Sequence, residues 1–254
     1  MILPIAKREL RSLFMSPRPW WVLAIVQFIL AYLFLSHLAT YLAYQPQLLI
    51  TEGAPGVTAG VVGTLFNDAA VVLLFVIPLI TMGLISEELH TRTINLLFSS
   101  PLSSFAIILG KYLGAMAFLA ILLGLIGLMP LGLLSSTELD FGLLGAAWLG
   151  LMLLVAASAA IGLFVSTLTA SPALAATGSF SLLLLLWIVD WAGDSLGNVG
   201  ELLRYLSLAH HYQALLQGLF DSADLVYYLL LSGAFLTLAV WRLETHRLAT
   251  HSFP

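Results

Sequence analysis

Apolar positions run along this chain in six long stretches separated by short polar segments. A helix needs about 20 mostly apolar residues to cross roughly 30 Å of hydrocarbon. The stretches at about 20–42, 65–85, 107–134, 141–167, 173–191 and 225–243 each meet that length. Pro78 lies inside the second, Lys111 and Pro130 lie near the two ends of the third, and Pro172 punctuates the link between the fourth and fifth. Three other segments have their own patterns. Residues 2–15 place Leu3, Ala6, Leu10, Leu13 and Phe14 on one helical face, flanked by Lys7 and Arg11. Such a helix serves as a juxtamembrane anchor with its cations toward lipid phosphates, or as a contact for a specific partner. Residues 87–105 form the link after the second stretch. Between Gly193 and Asp224, Tyr212, Leu215, Leu216 and Leu219 recur at helical spacing, which predicts a short helix in or dipping into one leaflet.

Composition turns this pattern into a class. The 254 residues are 61% hydrophobic and 9% charged, with a mean hydropathy of +1.04. Soluble domains are roughly 45–50% apolar and about 25% charged. That excludes a soluble enzyme, a nucleic-acid reader and a disordered chain. Cysteine is absent, which removes disulfides, thiolate metal sites and cysteine nucleophiles. The first apolar run is longer than the 7–15 residues of a signal-peptide core, and no small-x-small cleavage site follows, so it is expected to be a retained span.

Charge sets the expected orientation. With six spans both termini share one side. Lys7, Arg8, Arg11, Arg18, Arg92, Lys111, Arg242 and Arg247 fall there, and Arg204 alone of the nine Lys and Arg residues falls opposite. By the positive-inside rule both termini are cytoplasmic. Nine of the thirteen carboxylates, Glu52, Asp68, Asp140 and Asp194 among them, are counted outside, as a consistency check.

From Glu87 the chain reads EELHTRTINLLFSSPLSSFAIILGKYLGA. This resembles the signature of ABC-2-type transporter permeases, particularly the small six-span branch of gliding-motility and NosY-like permeases. Glu87, Glu88, Thr93, Leu96, Leu97, Ser100, Pro101, Leu109, Gly110 and Lys111 match it. Arg92 stands where a glycine is common and Asn95 where a glutamate is common. The motif covers about 25 residues; in layout the likeness extends over the whole chain.

The resemblance implies an all-α membrane protein. It would have six transmembrane helices, an N-terminal amphipathic helix over 1–19, a cytoplasmic coupling helix and outer re-entrant or interfacial helices, all in one domain over 1–254. It implies a coupling element seated on a separate ABC ATPase. Glu87, Glu88 and Arg92 would supply charge, Leu96, Leu97 and Phe98 an apolar surface, and Pro101 the angle of the next helix. Two ATPase copies and a second permease copy, most simply a homodimer, follow from the family assembly. ATP and Mg would be bound by the ATPase, because this chain has no G-x-x-x-x-G-K-[ST] loop and no cofactor site of its own. The expected place is the inner (cytoplasmic) membrane. The expected function is export of an amphipathic or lipid-like substrate along a path between protomers lined by the first, second and fifth spans. The alternative is mechanical transmission to a periplasmic or lipoprotein partner.

Rival chemistries have weaker support. Glu87-Glu88-x-x-x-Arg92 fits the opening motif of CAAX-type intramembrane proteases, but the required F-x-x-x-H is missing. Gly178-Ser179-Phe180-Ser181 lacks the glycine that a rhomboid-like serine site needs. Ion-coupled transport needs ionisable groups inside the membrane. The six stretches hold almost none: His37, Asp190 and Lys111 lie near span ends and are expected to act as interfacial anchors. His210 and His211 are adjacent, so their rings face different ways, and no metal site is expected. Gly110-x-x-x-Gly114 and Ala156-x-x-x-Ala160 suit close helix packing within the subunit.

Overall fold

A computed structural model describes residues 2–48, 56–94, 102–135, 137, 139–193 and 198–251, and the described residues are almost entirely helical. Helix α1 (Ile2–Met15) is followed at Ser16 by α2 (Pro17–Leu48). A π-helical segment (Thr58–Gly63) leads into α3 (Thr64–Thr81), and α4 (Gly83–His90) continues it past Met82. Then come α5 (Ser104–Leu131), α6 (Phe141–Leu168) and α7 (Pro172–Gly193). Two short helices, α8 (Asn198–Tyr205) and α9 (Leu208–Leu216), precede α10 (Ser222–His251).

Six stretches are long and apolar enough to cross a membrane: Pro17–Pro46, Thr58–His90, Ser104–Leu134, Phe141–Leu168, Pro172–Asp190 and Ser222–Leu248. This is an all-α, multi-pass membrane protein. The starts of α5 and α6 are fixed by side-chain caps, because the first backbone N–H groups of a helix have no intrahelical acceptor. Asp140 Oδ1 accepts from Gly142 and Leu143 at 2.9 and 3.2 Å ahead of α6. Ser103 Oγ accepts from Ala106 at 3.2 Å ahead of α5.

The second and fourth spans are the central pillars, 67% and 72% buried over their most apolar windows, whereas the first span is only 11% buried. Their contact depends on Gly162. A Cβ there would run into the Thr81 side chain, whose own Cβ would lie 2.9 Å away. Leu65, Phe66, Leu73, Ile77, Leu151, Leu154 and Val155 fill the core around this crossing. At the end of the bundle opposite the termini α9 is pressed against α6, where a Cβ on Gly150 would meet Leu215 at 2.9 Å. Tyr212 donates its hydroxyl to the Phe66 carbonyl at 2.8 Å, and burial pushes that hydroxyl far above the ordinary tyrosine range. The outer segment expected from the Tyr212–Leu219 periodicity is thus a helix held inward against the span bundle.

The second span begins earlier than its apolar run suggests, at Thr58. Asp68, counted with the outer carboxylates although it lies within the 65–85 stretch, stands on α3, where it meets His37 of α2 at 2.7 Å. The expectation that His37 is a lone interfacial anchor therefore needs correcting. It belongs to a half-buried pair joining the first two spans, and that pairing offsets the cost of placing a carboxylate in a span.

Candidate functional site

At the end of the bundle that carries both termini, three elements converge on one ammonium. Lys111 lies seven residues into α5, about 10 Å from the helix start at 1.5 Å per residue. Side chains on a helix lean toward its N-terminus, so the lysine stem runs back toward the polar end while its body stays among apolar neighbours. The residue is only 4% exposed. Its Nζ lies 2.9 Å from Glu88 Oε1 of α4 and 3.2 Å from Glu9 Oε2 of α1. Glu88 Oε2 is buried and takes no hydrogen bond from a described residue.

Glycines make this convergence possible. A Cβ on Gly110 would lie 2.7 Å from Ile5, and one on Gly114 would lie 2.7 Å from the Glu9 Cβ. The small-residue motif therefore packs within the subunit, as expected, and the helix it admits is α1. At the two glycines the seat uses Ile5, Ala6 and Glu9; Leu10, Leu13 and Phe14 of the expected face pack against the core, and only Leu3 of that face is left 80% exposed. Near the bend into α2, Trp20 Nε1 donates to the Phe14 carbonyl at 2.8 Å and Phe14 packs edge-on against Phe118 of α5.

Helix α4 presents its two glutamates in opposite senses. Glu88 turns inward to Lys111, while Glu87 and Arg92 are exposed. The helix ends at Thr91, whose N–H and hydroxyl both donate to the Glu87 carbonyl at 2.9 and 2.8 Å. Arg92 follows with φ of +59°. This is the left-handed position just past a helix end, where glycine is favoured because it has no Cβ. Leu96, Leu97, Phe98 and Pro101, together with Asn95 and Ser100, lie outside the described residues. The two flanks of that segment are fixed. Ile94 is buried on one side, and the carbonyl of Leu102 on the other accepts from Arg247 Nη1 of α10 at 3.0 Å.

Between α1 and α4 lies an open cleft of about 560 Å³ lined by Arg8, Glu9, Glu87, Glu88, Thr91 and Thr93 among others. Two basic groups, Arg8 and Lys111, meet three carboxylates in its lining, leaving one net negative charge. It can accept a donor-bearing or basic group. Glu88 is engaged by a lysine, not by the histidine a CAAX-type site would need.

The outer histidines are engaged separately. His211 Nδ1 meets Asp224 Oδ1 at 2.6 Å and its Nε2 meets the Tyr205 carbonyl at 2.9 Å. His210 Nδ1 is 3.8 Å from Asp190 Oδ1, which Arg204 also approaches at 3.7 Å. Asp190 is thus part of a cluster with Arg204 and His210 rather than a single anchor.

Sequence reasoning singled out Glu87, Glu88 and Arg92 and placed Lys111 as an anchor; it did not single out Glu9. The signal was present, since Glu9 is the one acid among the fourteen residues of a basic helix. A carboxylate on the packed face of such a helix calls for a cation across the contact. Compared with known protein families, residues 3–248 match the one described as ABC-2 family transporter protein. No curated protein matches the chain.

Proposed function

The chain belongs to the ABC-2 family of transporter proteins, and from that premise we propose that it is the permease half of an ATP-driven exporter. The assembly would contain two copies of this chain and two of a separate ABC ATPase, which binds ATP and Mg. The observation that carries this reading is the exposed end of α4. Glu87 and Arg92 stand on a short helix that continues a central span, beside an acidic cleft, at the end of the bundle richest in Lys and Arg. A docked ATPase that moves this helix would move the pillar directly, since α3 and α4 are nearly continuous. The Lys/Arg bias supports a cytoplasmic position for that end, and the location proposed with this assembly is the inner membrane.

Support for a second permease copy comes from the uneven covering of the bundle. The first and fifth spans are only 11% and 17% buried. Phe75 on α3, half exposed, packs at 4.8 Å against Phe180 on α7. An apolar wall of this kind suits an amphipathic or lipid-like cargo between protomers. A second reading, mechanical transmission to a periplasmic or lipoprotein partner, draws on the outer helices. Tyr212, Tyr227 and Tyr228 donate to the carbonyls of Phe66, Leu206 and Leu208, so span movement would reach the outer face.

The test uses the outward glutamate. Truncating one partner of a desolvated charged contact costs about 2 kcal/mol or more, which is roughly thirtyfold in affinity. Glu87→Ala is expected to insert normally and to lose the ATPase in a pull-down by about that factor. Charge reversal at Arg92 should cost less. Undiminished ATPase association in Glu87→Ala would remove this side chain from the seat.

A further inference from the structure

We propose that Lys111 is a positioning residue that clamps α1 and α4 to the third span, so that a displacement of the α4 loop moves α5 with it. The inference rests on the reading of that loop as the ATPase seat. Its own basis is the geometry of the clamp. One ammonium, 4% exposed, holds carboxylates from two separate elements at 2.9 and 3.2 Å. For packing alone, apolar side chains would serve as well, because the desolvation cost of a buried ion group commonly cancels its Coulombic gain. Its distinctive property is resistance to being pulled apart. If α4 moves and Lys111 does not, an inward carboxylate loses its only described counter-charge in a low-dielectric setting. Moving the elements together preserves both contacts. The glutamates of α4 then divide the work: Glu87 faces the cleft, and Glu88 ties the same turn to the membrane domain. Gly110 and Gly114 bring α1 close enough for Glu9 to complete the clamp. Helix α1 thereby becomes part of the moving unit.

The chain has no cysteine, so a single engineered thiol reports cleanly. Leu134, half exposed at the far end of the third span, is a suitable site. The parent for the test is the Leu134→Cys permease in complex with its cognate ATPase in lipid nanodiscs. Its labelling rate by a maleimide is compared between the ADP state and the state trapped with Mg-ATP and vanadate. The clamp predicts a difference between the two states in the parent. It predicts that Glu88→Gln shrinks the difference by about fivefold or more, the lower end of typical coupling, while the ATPase still co-purifies. The fully neutral variant Glu9→Gln, Lys111→Met, Glu88→Gln should behave alike. Lys111→Arg, which can still donate to both carboxylates, should restore most of the difference. A Glu88→Gln or neutral variant that keeps the whole difference overturns the clamp, as does a parent that binds ATPase but labels equally in both states. A parent that fails to bind ATPase removes the seat itself, and the clamp with it.

Discussion

Arg92 holds φ at +59° at the end of α4, a conformation that costs a residue with a Cβ about 1–2 kcal/mol. Replacing it by glycine relieves that strain but adds about 0.5–1 kcal/mol of unfolded-chain entropy. Arg92→Gly is therefore expected to stabilise the solubilised protein by about 0.5 kcal/mol, read as a small rise in unfolding midpoint, whereas Arg92→Val should lower it. The sequence reading noted a glycine position occupied by arginine without a reason for the preference. The backbone supplies the reason: the residue sits one step past a helix end. The direction in which Glu87 and Glu88 point was not legible. Adjacent residues on a helix differ by about 100°, and only the position of α5 decides which of the two meets a cation. Lys111 looked like an interfacial anchor because its partners come from residues 23 and 102 positions away.

Among the elements, the six spans were readable to within a few residues at most ends, since long apolar runs have few other uses. The second span was read seven residues too short at its start, because Thr58, Gly60 and Gly63 interrupt the apolar run. Asp68 lay within the run as read, and what was not legible is its pairing with His37, 31 positions away. The place of α1 was open from sequence, as an amphipathic helix suits lipid and protein equally. Its seat depends on two glycines of another helix. Gly110→Leu is expected to destabilise the α1–α5 contact by about 1–3 kcal/mol, the usual cost of overpacking, and to make α1 readily cleaved by a protease while the spans survive. Leucine at Gly124, where a Cβ meets nothing within 4 Å, is the matched control. Equal protease resistance in the two variants would show that α1 does not depend on this seat.

For the molecule as a whole, composition already excluded every soluble function, and the family match over residues 3–248 agrees with the resemblance carried by the Glu87–Lys111 motif. The proposed orientation rests on eight of the nine Lys and Arg residues lying at one end. Reporter fusions at residue 254 and near Thr51 are expected to fall on opposite sides, with residue 254 cytoplasmic. The cargo was not legible, because an apolar surface such as that around Phe75 and Phe180 is not encoded as a motif. The central claim, that this permease is driven by a separate ATPase, is tested most directly by ATP hydrolysis and native mass measurement on the permease alone and on the permease co-purified with its cognate ATPase. No hydrolysis by the permease alone, and an active complex containing two copies of each chain, is the predicted result. Hydrolysis by the isolated permease, or failure of the two chains to associate in a bilayer, would contradict it.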